Sequence, residues 1–92
     1  MSDAIRRPLE IVNVKGLHAR AAAKFVEVVE GFDATAEVFH DGQSASGDSI
    51  MGLLMLAAAN GTTIELETRG PDAGALVDAI TTLVASRFGE DM

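Results

Sequence analysis

Hydrophobic and polar positions along this chain follow two periods that alternate with one another. Leu9, Ile11 and Asn13 alternate with Glu10 and Val12, which predicts a short strand ending at a Lys15-Gly16 turn. Ala22, Phe25, Val26 and Val29 then recur at helical spacing, with Arg20, Lys24 and Glu27 opposite, and this helix stops at Gly31. Thr35 to His40 predicts a second strand, Asp41-Gly42 a hairpin turn, and Gln43 to Ser46 a short returning strand. Ser49 to about Ala58 predicts a helix capped by Ser49 or Asp48 and ended at Asn60-Gly61. Ile64 and Leu66 alternate with Glu65 and Glu67 in a fourth strand, Thr62 to Thr68. After Arg69-Gly70-Pro71 a long helix begins at Asp72, with Leu76, Val77, Ile80, Leu83 and Val84 in one stripe.

The order βαββαβα predicts an α+β fold of two layers, with three helices covering one face of a largely antiparallel sheet. Alternating strands support the antiparallel arrangement, because parallel strands covered on both faces read as continuously apolar. A chain of 92 residues, 48% hydrophobic, holds one core, so residues 1–92 are expected to form a single domain. No repeat, linker or low-complexity segment interrupts it. A domain of this size has little interior for a deep cofactor cavity, which directs the search for function to a surface or shallow cleft.

Charge changes that picture more than bulk composition does. The net charge is −7, yet five of the seven basic residues (Arg6, Arg7, Lys15, Arg20 and Lys24) fall in the first 24 positions beside only Asp3 and Glu10. The acidic remainder argues against nucleic acid as a partner, since such binding neutralises phosphates with Lys and Arg. A local cationic region still suits one phosphate group. Arg6 and Arg7 read as ordinary solubilising charges. The absence of cysteine excludes disulfides, thiolate metal sites and cysteine nucleophiles. No segment has the apolar run of a signal peptide or a membrane helix, so a cytoplasmic protein without membrane contact is expected.

Within the cationic region, the segment GLHARAAAKF, Gly16 to Phe25, places His18 at or beside the N-cap of the first helix. The first backbone N–H groups of a helix lack intrahelical partners, and with the positive end of the dipole they form an anion site. The same field favours neutral imidazole, the nucleophilic form. Arg20 is placed to donate planar hydrogen bonds to phosphoryl oxygens. Spacing alone leaves two readings open, a solvent-exposed cap and a phosphate-bearing nucleophile.

A second segment, GDSIMGLLMLAAANG from Gly47 to Gly61, has Ile50, Met51, Leu53, Leu54, Met55 and Leu56 with no polar face. A short helix in so small a protein cannot be enclosed all round, so some of these side chains must meet water. A Met-rich exposed surface suits several partners; a helix wedged under loops and a homodimer contact are the competing readings. Ser49 reads as a cap, and a phosphate there would also be favoured by the dipole. His40 reads as an ordinary strand-end residue. His18 and His40 lie far apart and no cysteine is present, so no metal-ligand spacing is recognisable.

These two motifs, GLHARAAAKF and SIMGLLML, their spacing, the Asp41-Gly42 hairpin and the order of elements resemble the histidine-containing phosphocarrier family, HPr, of the bacterial phosphotransferase system. The likeness runs from about Leu9 to Phe88. It implies an open-faced β-sandwich with sheet order 1-4-2-3 and a monomeric carrier that needs no cofactor. It further implies that His18 accepts a phosphoryl group on Nδ1 from phospho-enzyme I, assisted by Arg20, and passes it to an EIIA-type protein. Ser49 would be the site of an HPr kinase/phosphorylase, while Lys24, Ile50, Met51 and Leu54 would contact partners. A purely regulatory binding module of the same fold, working through the apolar helix, is the alternative function. One position departs from the family: Ala21 stands where Pro is usual. Ala21 restores an amide donor and gives up rigidity, so a more mobile helix start is expected, with a slight lean toward a regulatory branch over sugar uptake.

Overall fold

The computed structural model describes residues 4–92 of the chain. The strands are β1 (Ile5–Glu10), β2 (Thr35–His40), β3 (Gln43–Ser46) and β4 (Thr63–Arg69). The helices are α1 (Ala19–Glu30), α2 (Ile50–Met55) and α3 (Ala73–Ala85), and a tight turn over Arg87–Gly89 follows α3. Every strand pair is antiparallel and the sheet order is β1-β4-β2-β3, as expected.

Alternation decides which side of the sheet is covered. Leu9, Val38, Ala36, Ile64 and Leu66 point to the helices and are buried. They meet Phe25, Val26 and Val29 of α1 and Leu76, Val77, Ile80 and Val84 of α3 in one apolar cluster. Thr68 is buried in the same row, and its hydroxyl donates to Ala73 O at 2.9 Å, which satisfies the one polar group β4 contributes inward. The hairpin between β2 and β3 turns on Asp41 and Gly42, both at positive φ (51° and 79°), the backbone that a two-residue turn of primed type requires.

The structure departs from the sequence reading in three places. First, β1 begins at Ile5 and ends at Glu10, short of the expected Lys15-Gly16 turn, so Arg6 and Arg7 lie in the sheet. The Arg6 guanidinium stands 4.4 Å from the centre of the Phe39 ring and 3.6 Å from Glu67, while Arg7 donates to Asp78 and Thr81 of α3. These two arginines tie layers and strands together and are more than solubilising charges. Pro8 lies inside β1, which is an edge strand, where a missing N–H is tolerated. Second, α2 ends at Met55 with Leu56 as its C-cap, short of the Asn60-Gly61 stop. The chain leaves the helix through Ala57 at φ 53°, because Ala58 must reach back to accept the Leu17 amide at 2.9 Å. Third, α3 is followed by a left-handed turn with Arg87, Phe88 and Gly89 at φ 59°, 54° and 77°. Nothing in the hydrophobic pattern announces it.

Candidate functional site

His18 is the N-cap of α1, in extended conformation, and its side chain makes no capping bond. The loop before it sets that geometry. Gly16 has φ +67° and sits so close to the segment after α2 that a Cβ there would lie 2.6 Å from Ala58 O. The His18 amide donates to Gly16 O and the Leu17 amide to Ala58 O, both at 2.9 Å. The first helical bond of α1 runs from the Ala22 amide to His18 O at 2.8 Å. The amides of Ala19, Arg20 and Ala21 come before it and have no partner within the helix, leaving donors beside the imidazole. Ala21 itself is fully buried against the core.

The imidazole is about three-quarters buried, with 27% of its side chain exposed. Its Nε2 is engaged by the Glu90 carboxylate. The other Glu90 oxygen accepts from the Asn13 side-chain amide at 3.1 Å, and the same Asn13 nitrogen donates to Gly16 O at 2.8 Å. Asn60 in turn donates to Asn13 O at 3.1 Å. The hydrogen bond from His18, then that from Asn13 and the nearby positive charge of Lys15, hold the Glu90 carboxyl below the usual carboxylate range, against the opposing effect of its burial. Among the described residues, His18 Nδ1 has no hydrogen-bond partner.

Beside this cluster lies an open cleft of about 330 Å³ lined by Lys15, Arg20, Lys24, Glu90 and Asp91. Arg20 is exposed and makes no ion pair among the described residues. Lys24, expected from the family resemblance as a partner contact, donates to Phe88 O at 2.7 Å and so fastens the last segment of the chain to α1.

The second motif is placed as the sequence reading required. Ser49 caps α2, its hydroxyl accepting from the Gly52 amide at 3.0 Å. Leu53 and Leu56 are buried, whereas Ile50, Met51 and Met55 are 40%, 69% and 74% exposed and Leu54 is half-buried. α2 packs against α1. His40 ends β2, and its Nδ1 lies 2.9 Å from Leu56 O, pinning the end of α2 to the hairpin.

Sequence reasoning missed Glu90 as a neighbour of His18 and gave Asn13 no role beyond strand alternation. Asn13 carried a weak signal, being a polar residue at an inward-facing position of the expected strand. Glu90 carried none, since only the left-handed turn brings it to His18.

The chain matches the family PTS-HPr, described as the PTS HPr component phosphorylation site, over residues 5–86. It is 43% identical over 86 residues to phosphocarrier protein HPr of Cupriavidus necator, covering 94% of this chain and 97% of that protein. To phosphocarrier protein NPr of Escherichia coli (strain K12) it is 40% identical over 88 residues, covering 95% and 98%. The crystal structure of HPr-C-His from Thermoanaerobacter tengcongensis superposes with a TM-score of 0.90 at 34% identity, covering 96% of this chain and 99% of that one.

Proposed function

Because the chain belongs to the HPr family of phosphotransferase-system phosphocarriers, we propose that His18 is the residue that carries the phosphoryl group. The protein is a phosphocarrier; on this reading it takes the group from phospho-enzyme I and delivers it to an EIIA-type protein in the cytoplasm, as one domain. The observation that carries the assignment is the imidazole at the head of α1, with Nε2 engaged, Nδ1 unpartnered, and three unpaired backbone amides alongside.

Nδ1 is the nitrogen free to attack. The electron pair of Nδ1 meets the phosphorus of the donor's phosphohistidine in line, the donor's P–N bond breaks, and its pair returns to the donor nitrogen. Helix amides and Arg20 then hold the oxygens of the arriving group. Transfer in the other direction, to the acceptor, runs the same step backwards. Such a step needs positioning and charge compensation more than covalent chemistry from the carrier, so an exposed, shallow site suffices.

Docking follows from the adjoining surface. Ile50, Met51 and Leu54 supply an adaptable apolar contact on α2, and Arg20 supplies charge complementary to an acidic partner surface. Lys24, which donates to Phe88 O and also lines the cleft beside Arg20, adds positive charge to the same surface. Ser49 is the proposed target of a HPr kinase/phosphorylase where that enzyme is present. A phosphate there adds roughly −2 charge at the head of the apolar docking helix and opposes association by repulsion and desolvation. The test is transfer of label from phospho-enzyme I to wild type and His18→Ala: wild type takes up phosphate and the variant, still folded, takes none. Retained labelling of His18→Ala overturns the assignment.

A further inference from the structure

The left-handed turn after α3 holds two non-glycine residues in an unfavourable backbone conformation. Arg87 and Phe88 are both non-glycine residues at positive φ, a conformation costing on the order of 1–3 kcal/mol at each position. The turn persists because Phe88 is fully buried and its carbonyl is held by Lys24. Its outcome is the placement of a single side chain. Glu90 emerges directly from the turn with its carboxylate divided between His18 Nε2 and the buried Asn13 amide, while Met92 O accepts from the Val14 amide at 3.2 Å and closes the segment down.

We infer that Glu90 is a positioning residue for phosphoryl transfer: bridged between Asn13 and His18, it keeps the proton on Nε2, blocks that nitrogen, and directs the phosphoryl group to Nδ1. This rests on the reading of His18 as acceptor. A carboxylate is an acceptor only, so the imidazole edge facing it must carry the hydrogen. When the Nδ1 pair forms its bond to phosphorus, the Nε2–H proton stays in place and the ring gains positive charge. Glu90 lies against that charge as it develops, in the way a buried aspartate supports the imidazolium of a hydrolase triad. Asn13 fixes the carboxylate's second oxygen, so its orientation does not depend on His18. Lys15, Arg20, Lys24 and Asp91, the other charged groups around the cleft, lie beside it.

The inference makes a regiochemical claim that a small phosphoryl donor can test without any partner protein. Phosphoramidate transfers its phosphoryl group to imidazole nitrogen with breakage of its P–N bond and release of ammonia, and the two phosphohistidine isomers are distinguished by NMR of 15N-labelled protein. Full-length wild type should carry phosphate on Nδ1 of His18 alone. Glu90→Ala should place a substantial share on Nε2, and its rate of phosphorylation by phospho-enzyme I should fall about tenfold as orientation is lost. Glu90→Gln preserves size, and with one oxygen it can serve Asn13 or His18 but not both. It should therefore slow transfer and admit some Nε2 product, which keeps the test valid if Glu90→Ala folds poorly. Identical isomer ratios and rates in wild type and both variants would overturn the inference, as would Nε2 product in wild type, in which case His18 remains the acceptor. Wild type that is folded but unlabelled at His18 overturns the acceptor assignment and this inference with it.

Discussion

Replacing Gly16 by Ala tests the geometry of the site through the residue that shapes its loop. At φ +67° an L side chain costs about 1–2 kcal/mol. An ideal Cβ would also fall 2.6 Å from Ala58 O and 3.0 Å from Ala59 Cα, both backbone atoms that no rotamer change can move. Relieving such a clash costs about a further 1–3 kcal/mol, and reduced freedom of the unfolded chain returns about 0.4–1 kcal/mol. The net loss is therefore roughly 1–5 kcal/mol, and in a domain of this size each kcal/mol lowers Tm by about 4–8 °C. Gly61 provides the matched control. It has φ +86° with nothing within 4 Å of its Cβ direction, so Gly61→Ala carries only the conformational cost of about 1–2 kcal/mol, less the same unfolded-state return of about 0.4–1 kcal/mol. With no Trp or Tyr in the chain, urea unfolding is followed by far-UV circular dichroism. Gly16→Ala should also slow acceptance of phosphate, since Gly16 O accepts from both Asn13 and the His18 amide. Equal losses in the two variants would refute the claim that the His18 loop is packed on the segment after α2.

Ser49→Asp should fold normally, because Asp caps a helix as well as Ser does, yet take phosphate from enzyme I about tenfold more slowly or worse as negative charge enters the docking helix; equal rates in a stopped-flow transfer assay would count against Ser49 as a control point. Ala21→Pro should slow amide hydrogen exchange across residues 19–22, because the Ala21 amide has no helical partner to lose and its backbone gains rigidity; unchanged exchange would remove Ala21 as a source of mobility. The contribution of Glu90 to stability is complete above the ordinary carboxylate range of the unfolded chain and disappears as pH falls through its lower folded value. Chemical denaturation should accordingly show wild type more stable than Glu90→Gln at pH 7, with the gap closing in strong acid.

Much of this fold is legible because short-range patterns report it. β2 and β3 match their expected bounds, since Asp41-Gly42 fixes the turn and strict alternation fixes the faces. His18 and Ser49 are legible for the same reason, each standing where a helical stripe begins. Features settled by distant contacts are not. Arg6 and Arg7 look like loose charges until Phe39, Glu67, Asp78 and Thr81 are brought to them. The end of α2 is set by the need of Ala58 to meet Leu17, and no residue near Met55 signals it. Glu90 is the extreme case. Buried Phe88 and the Lys24 tether carry it to a histidine that chain order places at the other end of the molecule, through a turn in which Arg87 and Phe88, unlike Gly89, have no propensity for positive φ.

The most direct test of the account is the chemistry and location of the label after incubation with enzyme I and phosphoenolpyruvate. The account predicts one phosphoryl group per chain, acid-labile and base-stable, mapping to Nδ1 of His18. Label that is stable to acid, or that maps to any residue other than His18, would contradict it.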